Sequence, residues 1–330
     1  MAKSSNLLLS VVVPLFNEAA VLPAFHEALV NSVKGAAEDS YEIIYCDDGS
    51  TDDTAKLVGQ WHDHNHRVKL IKLSRNFGKE NALSAGIGLA SGRAILMIDG
   101  DGQHPVELIP KFVDAWQQGA QVVIGVRTGK TKTSWLKRAD SVVFHKVFNK
   151  LTGQKLLPGS TDFRLIDRAV QQAFLRLEES DRTTRGLIDW LGFRRQFIYF
   201  EANARQDGAP GYSQAQLMRL AANSFVSLTP KPLYLFGYLG VFITMGALLL
   251  GLSVLVEQLI LGDPWHWKFT GTAMLGILTL FLVGTILLSQ GILSLYISHI
   301  HSQSKGRPLY VIDYSGSAGI EKESPEDADS

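Results

Sequence analysis

The sequence predicts an α/β protein in which a doubly wound, mostly parallel sheet is followed by interfacial helices and two transmembrane helices. Two observations support this fold class. Between residues 7 and 126, short apolar runs rich in β-branched residues alternate with stretches of helical character. After Lys231, the composition changes to long apolar runs without a charged residue. The first pattern is typical of βαβ units and the second of helices that cross a bilayer.

Strands and helices alternate in the first part of the chain. The predicted strands are residues 7–15, 41–46, 68–73, 94–98 and 121–126. The predicted helices fill the gaps between them and comprise residues 18–34, 53–63, 79–90 and 105–116. Because a helix follows each of the first four strands, consecutive strands should run parallel, with helices on both faces of the sheet.

The composition limits the kinds of partner. Lysine and arginine together number 32, as do aspartate and glutamate, so no overall basic field predicts binding to nucleic acid. The single cysteine, Cys46, has no internal disulfide partner and lies in an apolar stretch, which is typical of a core residue in a reducing compartment. The opening run NLLLSVVVPLF lacks the small-residue cleavage pattern of a signal peptide and is interpreted as a strand.

Two long uncharged runs predict a transmembrane hairpin over residues 232–300. Residues 233–256 and 269–298 contain no Asp, Glu, Lys or Arg, and roughly 20 apolar residues suffice to cross a bilayer. Two buried core helices are the alternative, but helices of soluble proteins seldom run so long without a charge. Trp265 and Trp267, in the turn between the runs, stand where aromatic side chains commonly meet the membrane interface.

The basic residues around the hairpin predict its orientation. Arg219 and Lys231 precede it and Lys305 and Arg307 follow it, whereas the turn carries only Lys268. By the positive-inside rule, both termini should face the cytoplasm, which predicts a multi-pass protein of the inner (cell) membrane.

The segments that flank the hairpin differ in composition. Residues 211–231 carry apolar side chains at helical spacing and predict an amphipathic juxtamembrane helix, which either lies in the bilayer interface or packs as an ordinary helix. Residues 301–330 are predicted to form a cytoplasmic tail. Its acidic end, EKESPEDADS, lacks aromatic residues and an aliphatic cluster and is predicted to be disordered.

Polar residues collect after the first four predicted strands. The sequences PLFNE, DDGSTDDT, SRNFGKE and DGDGQH stand at the four strand ends. Ligands of doubly wound sheets bind beyond the carboxyl ends of the strands, so these segments predict one shared crevice. A dinucleotide site is excluded because GIGLAS, the nearest match to GxGxxG, lacks the third glycine and falls late in a helix; no P-loop motif is present either.

Asp99 and Asp101 end the apolar run in LMIDGDGQHP and are separated only by Gly100. Two neighbouring carboxylates repel each other, so a cation is expected between them. Oxygen ligands favour a hard ion, either Mg²⁺ or Mn²⁺. A helix cap before Pro105 is the alternative interpretation, but a cap needs only one of the two carboxylates.

Together these motifs resemble a known family. The segments VVVPLFNE, CDDGSTDDT, SRNFGKENALSAGIGLASG, DGDGQHP and STDFRLIDR, followed by two C-terminal apolar runs, resemble the polyprenyl-phosphate glycosyltransferases of glycosyltransferase family 2. The resemblance spans residues 7–310. It implies a GT-A-like catalytic domain over residues 1–210 that binds a nucleotide-sugar donor, a polyprenyl phosphate acceptor in the membrane, and assembly as a homo-oligomer such as the tetramers of relatives.

The resemblance assigns the donor side to residues at the strand ends. The implied nucleotide-sugar contacts are Pro14, Phe16, Glu18, Asp48, Lys79, Asp99, Gly100 and Gln103. Asp101 is implied as a catalytic residue and the direct metal ligand. Asp99 is implied in the metal's water shell or near the ribose, and Gln103 and His104 would complete the shell. Two alternatives stay open: an Asx turn and helix cap for DDGSTDD, and a solvated lysine at a helix start for Lys79.

Asp162 in STDFRLID matches the family's catalytic base. A phosphate monoester is already largely a dianion at neutral pH, so Asp162 is expected chiefly to orient the acceptor and to remove any residual proton. A carboxylate beside a dianion requires surrounding cations, although solvated side chains are the alternative for several of the candidates. Arg127 matches a phosphate-binding arginine of the family. The candidate acceptor-phosphate residues are Arg127, Lys137, Arg138, Ser141, Arg164 and Arg205, with Arg182 and Arg185 as further candidates.

The resemblance implies inverting transfer of one sugar onto undecaprenyl phosphate. Glucose from UDP-glucose is preferred because RNFGKE and DFRLI are most similar to the bacterial glucosyltransferases. Mannose from GDP-mannose is the first alternative. A processive polysaccharide synthase would need a QxxRW motif, which the sequence lacks. A non-catalytic nucleotide-sugar binder would not need Asp99, Asp101 and Asp162 together.

Overall fold

A seven-stranded sheet organises the amino-terminal part of the computed structural model, which describes residues 7–128, 159–179, 182–201 and 271–320 and positions 242, 245, 246 and 249. The strands are β1 (Leu9–Leu15), β2 (Tyr41–Asp47), β3 (Val68–Lys72), β4 (Ala94–Met97), β5 (Val122–Arg127), β6 (Ser160–Asp167) and β7 (Arg195–Phe200). Their spatial order is β3-β2-β1-β4-β6-β5-β7. Within this sheet β6 runs against β4 and β5, and the other pairs are parallel. The predicted α/β class with a mostly parallel sheet is confirmed.

Helices cover both faces of this sheet. They are α1 (Leu22–Ala37), α2 (Thr54–His64), α3 (Lys79–Leu89), α4 (Ile109–Gln117), α5 (Arg168–Leu175) and α6 (Thr184–Trp190). Side chains alternate along each strand, so Val11 and Val13 of β1 join the hydrophobic cluster under α1 and α4. Val12 joins the cluster under α3, α5 and α6. The two clusters make the sheet doubly wound, as predicted, and both faces of β1 are buried.

The first helix begins four residues later than the sequence predicts. Asn17 has a left-handed backbone with a φ of 54°. The backbone amides of Asn17 and Glu18 donate to the hydroxyl groups of Ser50 and Thr54. Because these amides are bonded to the loop after β2, residues 17 and 18 stay at the carboxyl end of β1 and α1 starts at Leu22.

Two strands and one C-terminal segment were not predicted. β6 and β7 follow the last strand that the sequence analysis found. Residues 309–320 lie along β3, with antiparallel bridges from Leu70 to Ala318 and from Leu73 to Ile312. Among the described residues, 307–320 accordingly cluster with those of the first 210 positions as one unit, and those between 211 and 306 form the other. The acidic end, residues 321–330, lies outside the described residues.

The second unit contains one long described helix, α7 (Gly271–Ser304). Among the described residues, no helix has both the length and the apolar character needed to cross a membrane. The helix predicted over residues 211–231 and most of the first uncharged run, residues 233–256, lie outside the described part of the chain. The two transmembrane helices therefore stay a prediction.

Candidate functional site

Asp99, Asp162 and Lys79 meet at the carboxyl end of the sheet. The antiparallel pairing of β4 with β6 sets Met97 opposite Arg164. Asp99 lies two residues beyond Met97 and Asp162 two residues before Arg164, so the same register brings the two carboxylates together. The ammonium of Lys79, at the start of α3, lies 2.6 Å from Asp99 Oδ1 and 2.8 Å from Asp162 Oδ2. The Lys79 ammonium therefore links Asp99, a predicted donor-binding residue, to Asp162, the predicted acceptor residue.

A cavity of about 350 Å³ opens beside this bridge, a volume within the usual range of small-molecule sites. Its walls come from the ends of β1 and β4 and from the loops after β2 and β3. Gln103 does not line the cavity; its backbone amide donates to Asp101 Oδ1 at 3.0 Å. The wall residues include the other predicted donor contacts, namely Pro14, Phe16, Glu18, Asp48, Lys79, Asp99 and Gly100, together with Asn76, Gly78 and Asp101.

Asp48 shapes the loop that follows β3. Its two carboxylate oxygens accept hydrogen bonds from the backbone amides of Phe77, at 2.7 Å, and Gly78, at 2.8 Å. Burial raises the pKa of Asp48, and these two amide donors oppose the shift. At Gly49, where φ is +72°, an added Cβ would lie 2.7 Å from the backbone of Arg75, so glycine allows the two loops to touch. Asp48 thus holds the cavity wall in addition to the base contact that the resemblance implies.

Glu18 packs closely against Gly100. An added Cβ at Gly100 would lie 2.5 Å from Glu18 Oε2. That oxygen is buried and has no hydrogen-bond partner among the described residues. Burial raises the pKa of Glu18 to about 8, and the carboxylates of Asp101 and Asp99 add to the shift. This environment therefore favours the protonated form of Glu18 at neutral pH.

Lys79 and Asp162 stabilise each other's charge. Burial alone would lower the pKa of Lys79, but the carboxylates of Asp99 and Asp162 outweigh burial and raise that pKa. Burial alone would raise the pKa of Asp162, but Lys79, with smaller contributions from Arg185 and Arg164, lowers it. Asp162 is therefore ionised at neutral pH and is a weak proton acceptor beside Lys79, which favours an orienting role.

The residues around Gly100 fit a divalent cation. Asp99 and Asp101 present carboxylate oxygens, which hard cations prefer. Besides Glu18 Oε2, Nδ1 of His104 is buried without a hydrogen-bond partner among the described residues, 4.0 Å from Asp99 Oδ2. Within the described part of the chain, no group of three or more His, Cys, Asp or Glu side chains forms a complete metal-holding set. A cation here would therefore need further ligands from a bound diphosphate.

Arg164 has structural partners in place of the predicted contact with the acceptor phosphate. The side chain is 1% exposed. Its guanidinium donates to the Asp189 carboxylate at 3.0 Å, to Ser160 Oγ at 2.6 Å and to the Thr161 carbonyl at 2.9 Å. These bonds tie β6 to α6 and occupy the donors that an acceptor phosphate would use.

Three of the other predicted acceptor residues lie in the described part of the chain. Arg127 is exposed at the end of β5, and Arg185 is exposed in α6. Arg182 is mostly buried and donates to the Glu179 carbonyl at 3.0 Å. The remaining candidates lie outside the described residues, so their role stays a prediction: Lys137, Arg138, Ser141 and Arg205.

Several residues of the site were not singled out from the sequence, among them Asn76 and Asp189. Asn76 lines the cavity and belongs to SRNFGKE, the segment that the strand-end rule selects, so its position could have been found. Asp189 holds Arg164 from 25 residues away in the chain. No local sequence motif predicts a contact between residues so far apart in the chain.

Comparisons with known proteins give consistent matches. The family profile described as glycosyl transferase family 2 matches residues 10–174. An uncharacterized glycosyltransferase of Synechocystis sp. is 36% identical over 304 residues, which cover 92% of this chain and 94% of that protein. A bactoprenol glucosyl transferase of Shigella phage SfV is 33% identical, with coverage of 92% and 97%. The solved mannosyltransferase PcManGT of Pyrobaculum calidifontis, in complex with GDP-Man and Mn²⁺, shares 14% identity at a TM-score of 0.46, with coverage of 91% and 88%.

Proposed function

The chain belongs to glycosyltransferase family 2, and on that premise we propose that it transfers a single sugar from a nucleotide-sugar donor to a polyprenyl phosphate. The bridge from Asp99 through Lys79 to Asp162 is the observation that carries the proposal. It joins a residue implied in donor binding to the residue implied in acceptor chemistry, within one cleft. Relatives described as bactoprenol glucosyl transferases support the acceptor class.

The finer assignments belong to the same proposal. The donor is UDP-glucose, the acceptor is undecaprenyl phosphate, and the cofactor is Mg²⁺ or Mn²⁺. The reaction takes place at the cytoplasmic face of the inner membrane, with a transmembrane hairpin over residues 232–300 and both termini in the cytoplasm. The protein acts as a homo-oligomer, which we propose is a tetramer. The descriptions of relatives support glucose, and the uncharged runs support the membrane location.

The donor side stabilises a leaving group whose negative charge grows as the glycosidic bond breaks. A divalent cation held by Asp99, Asp101 and Gln103 would neutralise charge on the leaving diphosphate. The side chains of Glu18 and Leu15 pack against Gly100, so a larger residue at position 100 would have to displace them. Phe16, 45% exposed at the cavity wall, offers a ring face to the nucleoside.

The acceptor side brings two negative groups together. An oxygen of the lipid phosphate attacks the anomeric carbon while the bond from that carbon to the donor's β-phosphate oxygen breaks, and the nucleoside diphosphate leaves with the electron pair. Attack from the opposite face inverts the anomeric centre. The phosphate needs little deprotonation because its second pKa is near 6. Asp162 orients it, and the Lys79 charge offsets the repulsion between that carboxylate and the incoming dianion.

The test is a donor panel with the full-length protein in membranes. Undecaprenyl phosphate and Mg²⁺ are supplied with radiolabelled UDP-glucose, UDP-galactose, UDP-N-acetylglucosamine or GDP-mannose in separate reactions. The expected result is label from UDP-glucose in a solvent-extractable lipid that mild acid releases. If only GDP-mannose labelled this lipid, the proposed donor would change to GDP-mannose and the proposed acceptor class would stand.

Two other outcomes would overturn the proposed function. Label in an insoluble polymer would indicate a processive synthase, and donor binding without turnover would indicate a binding protein. The Asp162→Asn protein serves as the inactive control because it should bind the donor but lose transfer. The exposed Glu178→Gln change on the same unit serves as the matched control that should keep full activity.

A further inference from the structure

Residues 309–320, here called the C-terminal strap, pair with β3. Leu70 and Ala318 exchange two backbone hydrogen bonds, each of 2.9 Å. The amide of Ser74, just after β3, donates to the Val311 carbonyl at 2.9 Å. β3 is the first strand in the sheet order, so the strap covers a sheet edge whose backbone groups would otherwise need water or another chain.

Apolar side chains hold the strap on both faces of that edge. Tyr310, Ile312 and Ile320 pack against the hydrophobic cluster on the α3 face. Ala318 packs against the cluster on the opposite face. An added Cβ at Gly88 of α3 would lie 3.5 Å from the Tyr310 hydroxyl, so the strap also contacts this helix. The strap therefore contacts both β3 and α3, the two elements that residues 74–78 connect.

A polar turn fixes the register of the strap. The Asp313 amide donates to the Lys72 carbonyl at 2.8 Å, and the Lys72 amide donates to Ser317 Oγ at 2.9 Å. The Asp313 carboxylate lies 3.7 Å from the Lys72 ammonium and accepts from the Ser315 amide at 3.2 Å. Backbone, apolar and charged contacts all agree on one register, which distinguishes this segment from a loosely attached tail.

The strap borders the loop that forms one wall of the donor cavity. Residues 74–78 join β3 to α3. Ser74, at the start of this loop, is bonded to the strap, and Tyr310 contacts α3, the helix that follows the loop, at Gly88 near the helix's C-terminal end. Within the loop, two amides bind Asp48, and the residue that follows the loop is Lys79. The loop is thus held from Asp48 on the inside and from the strap on the outside.

We propose that the C-terminal strap is a positioning element of the donor site. It holds the 74–78 loop so that Asp48 keeps both amide bonds and Lys79 reaches Asp99 and Asp162. Without the strap, one end of the loop would lose its anchor, and donor binding would have to order the loop at the moment of association. The inference rests on the proposed function for the identity of the donor, whereas the coupling between strap and loop stands on the contacts alone.

The experiment compares two deletions in the full-length protein, purified in detergent. One lacks residues 309–330, and the matched control lacks only residues 321–330. UDP binding is measured calorimetrically with Mn²⁺ present, and backbone hydrogen exchange is followed by mass spectrometry. Loss of the strap should weaken UDP binding by at least ~10-fold, because the loop must then be ordered on binding. It should also speed exchange over residues 70–79 while β1 stays protected. The control should match the parent in both measurements.

Point variants and a peptide keep the test decisive if the larger deletion does not fold. Ile312→Asp should reproduce both effects, whereas Ile312→Val should behave as the parent protein. A synthetic peptide of residues 307–320 should restore UDP binding to a folded deletion protein by pairing with β3. Unchanged UDP affinity and unchanged loop exchange in Ile312→Asp would overturn the proposal.

The hydrogen-exchange measurement separates this inference from the proposed function. If the parent protein bound no UDP, the assigned donor would be wrong. Exchange at the Phe77 and Gly78 amides would still decide whether the strap positions the loop.

Discussion

At the residue scale, Lys79 carries the charge balance of the cleft. Asp99 and Asp162 both lie within 2.8 Å of its ammonium, and Asp101 lines the same cavity. Without a cation, these carboxylates would repel one another and any substrate that carries phosphate. The Lys79 charge therefore offsets the negative charges of Asp99 and Asp162 at the same time.

Lys79→Met should reduce catalysis and strengthen metal binding in the absence of nucleotide. Turnover should fall by about 100-fold, the usual scale for removing one charge-stabilising group. Mn²⁺ alone should bind roughly tenfold more tightly because the ammonium no longer competes for Asp99, a gain of about 1.4 kcal/mol. Turnover is measured with the labelled donor and Mn²⁺ affinity by electron paramagnetic resonance. Lys79→Arg keeps the charge and should retain most of the activity; equal or weaker Mn²⁺ binding by Lys79→Met would contradict this account.

Asp101→Asn should abolish metal-dependent turnover and leave the fold intact. An amide keeps the shape of the carboxylate but loses the charge that a hard cation requires. The parent protein should lose activity in EDTA and regain it with excess Mg²⁺ or Mn²⁺, whereas the variant should stay inactive at every metal concentration. Asp114→Asn, a change at an exposed position of α4, is the control and should titrate like the parent. Undiminished activity of Asp101→Asn would refute the assigned metal ligand.

At the element scale, one buried ion pair joins β6 to α6. The Asp189 side chain is 9% exposed and lies 3.0 Å from Arg164 and 3.5 Å from Arg195. Burying both charges costs solvation, so the pair adds little compared with an apolar contact, but removing one partner leaves the other charge unpaired. Asp162 is part of the same strand as Arg164, and the pair therefore helps to fix the strand that presents Asp162.

Arg164→Met should lower the free energy of unfolding by about 3 kcal/mol, because buried Asp189 would lose its nearest cation and keep only the contact with Arg195 at 3.5 Å. Arg195→Met removes the more exposed partner and should cost less than about 1 kcal/mol. Both values come from urea denaturation followed by circular dichroism. The same variant distinguishes the two roles considered for Arg164. If Arg164→Met had normal stability and a raised KM for the lipid acceptor, Arg164 would contact the acceptor phosphate as the sequence predicts, and the structural role would be excluded.

The packing of α1 against α2 should make stability depend on pH. His26 of α1 stacks on Trp61 of α2, with ring centroids 3.9 Å apart, and its Nδ1 lies 2.8 Å from the Tyr45 hydroxyl. Burial lowers the pKa of His26 to about 4. Because this value lies below the unfolded value near 6.5, the contribution is fully present above pH 6.5 and is lost as the pH falls towards 4.

His26→Gln removes this titration. Between pH 7 and pH 4.5, the free energy of unfolding of the parent protein should fall by about 1–2 kcal/mol more than that of the variant. Thermal unfolding at a series of pH values measures the difference. His64→Gln, at an exposed position of α2, is the matched control. Parallel pH profiles for the parent and His26→Gln proteins would show that His26 does not titrate as described.

The early strands are predictable because both of their faces are buried. β1 and β2 are mostly apolar and are buried along their whole length, and turn residues mark their ends. β6 mixes charged and polar residues with apolar ones because its first residues belong to the site and Arg164 pairs internally. β7 is exposed along most of its length, and its polar and aromatic residues give no buried run. The strap escapes prediction because its few apolar residues, such as Tyr310 and Ile312, acquire partners only from the distant β3 and α3.

At the scale of the whole molecule, chain topology explains which parts of the site the sequence reveals. Glu18, Asp48 and Asp99 follow parallel strands, so the strand-end rule places them in one crevice. Asp162 reaches the same crevice from the start of an antiparallel strand, which that rule does not cover. The overall charge of the chain is zero, and yet the crevice is acidic. The local arrangement of acids, and not the net charge, therefore determines the need for a cation.

Insertion into the membrane is a prediction about the whole chain. If residues 233–256 and 269–298 cross the bilayer, the full-length protein should stay in the membrane pellet in about 1 M salt and in alkaline carbonate. Both treatments release proteins that are bound only to the membrane surface. The protein should dissolve only in detergent. Epitope tags at the two termini should both be protected from protease in intact spheroplasts, whereas a tag between Gly262 and Lys268 should be cleaved. Release by carbonate alone would mean that these runs do not span the membrane.

In that case the protein would have to reach its acceptor from the membrane surface, because polyprenyl phosphate is confined to the bilayer. Its activity on vesicle-bound acceptor would then decrease as the salt concentration rises, whereas the activity of an inserted protein should not.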